Sequence, residues 1–456
     1  VASHYPEAAR PVDADLLWAD DPDALSRIRS RAVQWLSRTA TLARGRYEIE
    51  DAIDLFTRAV ELCDDPHEQA LLWRSIGDAQ ALRYDGEAMR TAFVRALDGP
   101  LDDTERADTY ATLAFQSSLR SAMWSVRLNR ELIDEWAGEA LALAPSVSAA
   151  RVRATLARAN VDPATVGEDE LLEMVRLAED LRSVELRSYA ISELSAAAFE
   201  QRRFREAASW SDLRLALRDE IDDPDHVCDM FEFGTPIAAA VTRFDDAQEL
   251  ARLHGELARR LSPHHRVHSV ALELELADVL ADWSTVAQDT GRVVDAVDAN
   301  LATPCVRNPR GLLICAVAHL YEGDEARALE LELDAARIGG AGYDSYLSGP
   351  RLRLALGRGD ASGERLLELP VERSFVWGPG AIAARMDALV VFRRADLIER
   401  EAPVLLRERS VLEPFALRAV GAARCDDDLL ARADERFAAL GLEWHRAQTE
   451  RLTAGL

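Results

Sequence analysis

The chain is 456 residues long, 48% hydrophobic but only 6% aromatic, and Ala, Leu and Val carry most of the apolar share; this mixture favours helices that approach closely. Eighty acidic residues against 54 basic ones give a formal net charge of −26, a surface that repels phosphate backbones and anionic lipid and argues against nucleic acid and membrane as partners. All 54 basic residues are arginine, so a phosphate-loop lysine, a Schiff-base lysine and a kinase's ATP-pairing lysine are excluded within this chain.

The N-terminal stretch lacks the basic patch and apolar run of a signal peptide. The chain begins at Val1 rather than Met, which leads us to expect a piece of a longer protein, with residues 1–20 as a junction helix. From residue 21 to 338, helical periodicity runs almost without interruption, and no strand-like alternation of useful length occurs. Short punctuation separates the helices: Asp64-Asp65-Pro66, Asp98-Gly99-Pro100, Ala144-Pro145, Asp222-Asp223-Pro224 and Ser262-Pro263. Proline stops one helix, and the neighbouring Asp or Ser caps the next. Loops this short force antiparallel helix pairs. Residues 339–380 are richer in Gly and Pro and are expected to form a hinge or irregular segment, with residues 381–456 as closing helix pairs.

A repeat is visible within this pattern. Trp73, Ile76, Gly77, Met89, Phe93, Ala96, Leu97 and Pro100 place large and small residues where a helix–turn–helix unit of about 34 residues needs them. Ala52, Phe56 and Ala59 show the same spacing 37 residues earlier. Arg203-Phe204-Arg205-Glu206-Ala207 and Arg243-Phe244-Asp245-Asp246-Ala247 lie 40 residues apart. Trp283, Val286, Gly323, Ala328, Ala335, Ala140, Leu141 and Pro145 supply further fragments, whereas 101–135 and 146–185 fit poorly and read as longer, irregular pairs. On these residues the chain resembles tetratricopeptide repeat proteins. The resemblance implies an all-α solenoid of roughly ten to twelve helix pairs.

The two ends carry a narrower resemblance. Ala2-Ser3-His4-Tyr5 with Glu7-Ala8 is similar to the helix joining an ATPase module to its repeat tail. Ala433, Arg436, Phe437, Leu440, Gly441, Leu442, Trp444, His445, Gln448 and Thr449 are similar to the closing pair of such tails. The family in view is that of bacterial adenylate/guanylate cyclase proteins with an ATPase module, together with LuxR-type ATPase regulators. It implies a cytoplasmic regulatory arm that binds a protein, peptide or small ligand on its concave face and biases an attached module. A free-standing scaffold or small-molecule sensor is the other reading, and an enzyme on a helical-repeat fold is the third.

Candidate chemistry is sparse. Cys63, Cys228, Cys305, Cys315 and Cys425 are odd in number and contain no C-x-x-C; they read as reduced thiols. The longest apolar stretch, 311–320, is interrupted by His319 and far too short for a membrane span. His264 and His268 share a helix face as metal ligands do, but no H-E-x-x-H pattern or nearby Cys accompanies them. Pro263 marks them as the solvated start of a helix, and no metal or cofactor is expected. The acidic clusters Asp102-Asp103, Asp222-Asp223 and Asp426-Asp427-Asp428 read as helix caps rather than as catalytic pairs. No G-x-S-x-G occurs, and the chain is expected not to be an enzyme. Counting in the repeat register places Tyr189, Ser192, Phe199, Asp229, Glu232 and Pro236 on the groove-facing side of first helices, as candidate contacts for a basic or amphipathic partner.

Overall fold

The structure, a computed structural model, describes residues 21–126, 128–339, 344–369 and 378–453, together with residues 5 and 7. It is all-α, a succession of helices packed in adjacent pairs. The expected junction helix over 1–20 lies outside the described residues, apart from Tyr5 and Glu7. Among the described residues no helix is long and apolar enough to cross a membrane.

By contacts the chain divides between Arg187 and Ser188. The first unit holds α1 (Pro22–Gly45), α2 (Ile49–Leu62), α3 (Pro66–Leu82), α4 (Gly86–Leu97), α5 (Asp103–Leu119), α6 (Arg130–Leu143), α7 (Ala149–Val161) and α8 (Glu168–Asp180). The division falls early in α9 (Val184–Glu200). The second unit continues with α10 (Phe204–Leu215), α11 (Pro224–Ala240), α12 (Phe244–Ala258), α13 (Pro263–Leu280), α14 (Trp283–Ala299), α15 (Arg307–Tyr321), α16 (Glu325–Ile338), α17 (Ser348–Arg358), α18 (Gly378–Val391), α19 (Ala395–Leu405), α20 (Glu413–Arg424), α21 (Asp427–Ala439) and α22 (Glu443–Thr453). The described residues of 339–380 belong to the second unit. The described part of that segment forms α17 and short 3-10 turns, and α17 packs on α15 and α18.

Local chemistry explains the helix starts. Asp65 and Asp223 each accept the backbone N–H two residues on, with Pro66 and Pro224 opening the helix. Asp102 and Glu105 form a reciprocal capping box, and Asp426 accepts from Leu429. The acidic clusters are thus caps, each worth about 1 kcal/mol.

Helix ends obey a second rule. Most turns within a pair close by the same bond, from an N–H to the carbonyl five residues back: Asp85 to Gln80, Arg203 to Ala198, Arg243 to Ala238, Asp282 to Ala277, Arg394 to Leu389 and Asp426 to Gly421. The residue before each donor is left-handed: Tyr84, Arg202, Thr242, Ala281, Arg393 and Cys425. This is the Schellman ending, made without glycine at these six positions. Gly323, Gly359 and Gly441 serve the same turn elsewhere with less strain.

In the first unit, Phe56, Ala59, Leu72 and Ile76 build one core and Met89, Phe93, Leu113 and Trp124 the next. A Cβ on Gly77 would sit 2.9 Å from the Phe93 ring, so the crossing read from sequence is real. The poorly fitting stretches are also helix pairs, α5/α6 and α7/α8, with longer connections.

The second unit closes on itself. A single core joins Phe199, Phe204 and Ile237 to Met386, Leu389, Ile398, Val411 and Phe415. The Val411 N–H donates to the Ala240 carbonyl at 2.9 Å, and the Arg205 N–H donates to Glu408. Helix α18 packs against α11 and α13. The fit is tightest at Gly380, where an ideally built Cβ would lie 2.0 Å from Asp278 Oδ2. Gly380→Ala is expected to push α18 off α13 and to cost about 1–3 kcal/mol as overpacking. Thermal denaturation should show a lowered midpoint with helix content retained at 25 °C.

Candidate polar centre on the first helices of the second unit

The first helix of each pair carries polar residues that meet those of the next repeat. In the first unit Arg44 meets Asp78 and Arg74 meets Asp108, each pair 34 residues apart, and Arg153 also reaches Asp108. These side chains are 22–41% exposed.

In the second unit the equivalent face is buried. Arg310 of α15 grips Glu275 of α13 through two nitrogens, one at 2.7 Å, and donates to the Tyr346 carbonyl. Arg353 of α17 lies 2.6 Å from Asp278, and Arg418 of α20 pairs with Asp387 of α18. All three arginines are at most 1% exposed. The planar guanidinium suits this role, because it satisfies both carboxylate oxygens at once.

The densest cluster joins α11, α13 and the α14–α15 connection. Glu232 accepts from His268 Nδ1 at 2.6 Å and from Arg307 at 2.6 Å. His268 Nε2 then faces Cys305 Sγ at 3.4 Å. His264 lies one turn before His268, with ring centroids 4.2 Å apart. One ligand atom from each of His264, His268 and Cys305 lies within 4.8 Å of the others. Burial by itself pushes the Glu232 carboxyl up, but His268 and Arg307 outweigh it and hold the group well below the usual carboxylate range. Burial pushes His268 down, and Glu232, aided by Cys305, reverses this to about 9. Burial holds His264 well below 6.5 and lowers His254 to about 3.

The expected solvated start of this helix is corrected: His264 is 2% and His265 3% exposed. Asp225 of α11 binds His265 Nε2 at 2.6 Å, and Ser262 meets its Nδ1 at 2.8 Å. The first turn of α13 is therefore spent on the neighbouring repeat rather than on water. Cys305, 37 residues from His268, escapes a search for nearby ligands but sits one repeat length on. Bonds from Asn308 to the Asn300 and Thr303 carbonyls hold its loop.

The six groove candidates separate. Asp229 pairs with Arg214 and Glu232 sits in the cluster. Tyr189 stacks on His226 at 4.0 Å. Ser192 is buried. Phe199 is fully buried against Phe204 at 5.1 Å. Pro236 is covered by Gly378. The crevice lined there by Thr235, Leu272, Val279 and Pro379 has about 10 Å³ of free space, enough for roughly one water and not for a metabolite. The candidate positions are thus largely in contact with the chain's own residues.

No protein-family model matches the chain, and no curated protein matches it.

Two outcomes follow. Arg310→Met leaves Glu275 buried without its partner and is expected to cost about 3–5 kcal/mol, whereas Arg310→Met with Glu275→Leu should recover most of that in urea unfolding. His445 of α22 donates from Nε2 to the Val279 carbonyl at 3.0 Å. Burial, with Arg353 and Arg418 nearby, holds it well below 6.5. The unfolded chain takes up its proton below pH 6.5 and the native state does not, so stability is intact above that pH and falls below it. The slope is about 1.4 kcal/mol per pH unit for this group. His445→Gln should make the wild-type loss measured between pH 6.5 and 5 shallower by this group's share, the buried His264 and His254 keeping theirs.

Proposed function

We propose that the chain is a tetratricopeptide-type interaction and regulatory region of a bacterial cytosolic signalling protein, acting by binding rather than catalysis. The observation that carries this reading is the Arg–Asp row on the first helices of the first unit. Arg44, Arg74 and Arg153 alternate with Asp78 and Asp108 at repeat spacing and remain partly open to water. First-helix positions are where such repeats receive extended or helical peptides, and a charged row gives specificity and salt-dependent capture. The self-packed second unit leaves the first as the receiving surface. A partner that favours one arrangement of these repeats biases an attached ATPase, cyclase or transcription-regulator module through differential affinity. The similarity of residues 1–8 and 433–449 to such proteins supports the attached-module part.

Affinity capture from a bacterial lysate checks the reading. Arg74→Glu with Arg153→Glu is expected to lower recovery of a specific partner at least tenfold, while Arg252→Glu on α12 leaves it unchanged. Equal recovery by all three chains, or retention of a small molecule with no protein partner, would overturn it.

A further inference from the structure

We infer that His264, His268 and Cys305 form a binding site for a borderline-soft divalent cation, Zn²⁺, clamping one repeat to the next. Their donor atoms converge within 4.8 Å although they come from two repeats. In a tetrahedral Zn²⁺ site the bond lengths set N···N and N···S separations of roughly 3.3–3.6 Å. His268 Nε2 and Cys305 Sγ are already 3.4 Å apart, and His264 brings its donor within 4.8 Å of both.

The support around these donors is the stronger observation. Glu232 accepts the Nδ1 proton of His268 at 2.6 Å, which orients the ring with Nε2 toward the thiol, so that loss of the Nε2 proton leaves a donor already aimed. A carboxylate on the far nitrogen of a ligating histidine is the recurrent outer layer of metal sites, orienting the ring and raising its basicity. Arg307 holds the other Glu232 oxygen at 2.6 Å, so the carboxylate is locked. His264 and His268 approach on one face, one turn apart, from a helix whose start is buried. The Asn300–Asn308 bond of 3.0 Å pins the loop carrying Cys305. One thiolate and two imidazoles select Zn²⁺ over Mg²⁺ or Ca²⁺. Three protein donors leave a fourth position for water.

Binding exchanges two protons for the metal: the Cys305 S–H bond and the His268 Nε2–H bond break, Zn–S and Zn–N bonds form, and both protons go to solvent with no change of oxidation state. The cluster then joins α13 to the head of α15 by coordinate bonds in place of a single S···N contact.

The test is titration of the full chain, first stripped with chelator, with Zn²⁺ alone and then with Co²⁺ as a spectroscopic substitute. One equivalent of Zn²⁺ is expected to bind, release protons and raise the thermal midpoint. Co²⁺ should give a thiolate charge-transfer band that is lost in Cys305→Ser and kept in Cys228→Ser. Glu232→Gln, which leaves all three donors in place, should weaken Zn²⁺ binding by about 10–100-fold. His264→Gln provides a second loss-of-ligand variant if Cys305→Ser has altered helix content. Absence of saturable one-to-one binding, or an unchanged cobalt band and affinity in Cys305→Ser and His264→Gln, would overturn the site. Partner capture by the first unit is a separate readout, so either proposal can fail alone.

Discussion

Repeats of the second unit are tied to one another by charges that have left water. Taking a carboxylate or a guanidinium out of solvent costs several kcal/mol per ion, and only a partner fixed in place offsets it. Glu275 with Arg310 meets that requirement between α13 and α15, Asp278 with Arg353 between α13 and α17, and Asp387 with Arg418 between α18 and α20. The stacking of this unit is consequently a matter of registration as well as apolar burial. A helix that slips by one turn strands a charge, whereas a slip along an Ala- and Leu-rich face alone would cost little.

The two units use the same kind of charge pair between first helices for different ends. In the first, the row of Arg and Asp stays wet, and a surface pair of this kind contributes at most about 1 kcal/mol. In the second, α18 and α22 lie over the row and turn it into an interior. Trp444 packs between Trp283 and Tyr321 at 5.6 and 4.9 Å, and His445 reaches the Val279 carbonyl. The same residue types stay open to water in one unit and form a locked seam in the other, and the difference lies in what covers them.

Much of the architecture was legible in the sequence because its signals are local. Asp65-Pro66 and Asp223-Pro224 announce helix starts by capping chemistry, and Gly77 with Phe93 announces a close crossing. Turns were legible only where glycine marks them, as at Gly323 and Gly441; Thr242 and Arg202 take the same left-handed geometry with no compositional mark. The polar centre was half legible. His264 and His268 stand out as a pair, but a buried Glu232 on a helix looks like any solvated acid. Cys305 and Arg307 become neighbours only once one repeat is laid on the next. The burial of Phe199 was not legible, because an aromatic near a helix end satisfies the groove register and the core equally well. The closure of the second unit had no local signal at all, since it joins Arg205 to Glu408.

That closure sets the order in which the chain can become structured. A stack in which each pair touches only its neighbours gains structure from contacts a few tens of residues apart, and it can begin anywhere. The core that unites Phe199 and Phe204 with Val411 and Phe415 instead waits for segments about two hundred residues apart to meet. The entropy of closing so long a loop comes before any reward from the contacts. During synthesis the first unit has its partners in hand while the ribosome is still producing α13. The second holds an unsealed apolar rim until α20 emerges, and that interval is when it is most exposed to misassembly.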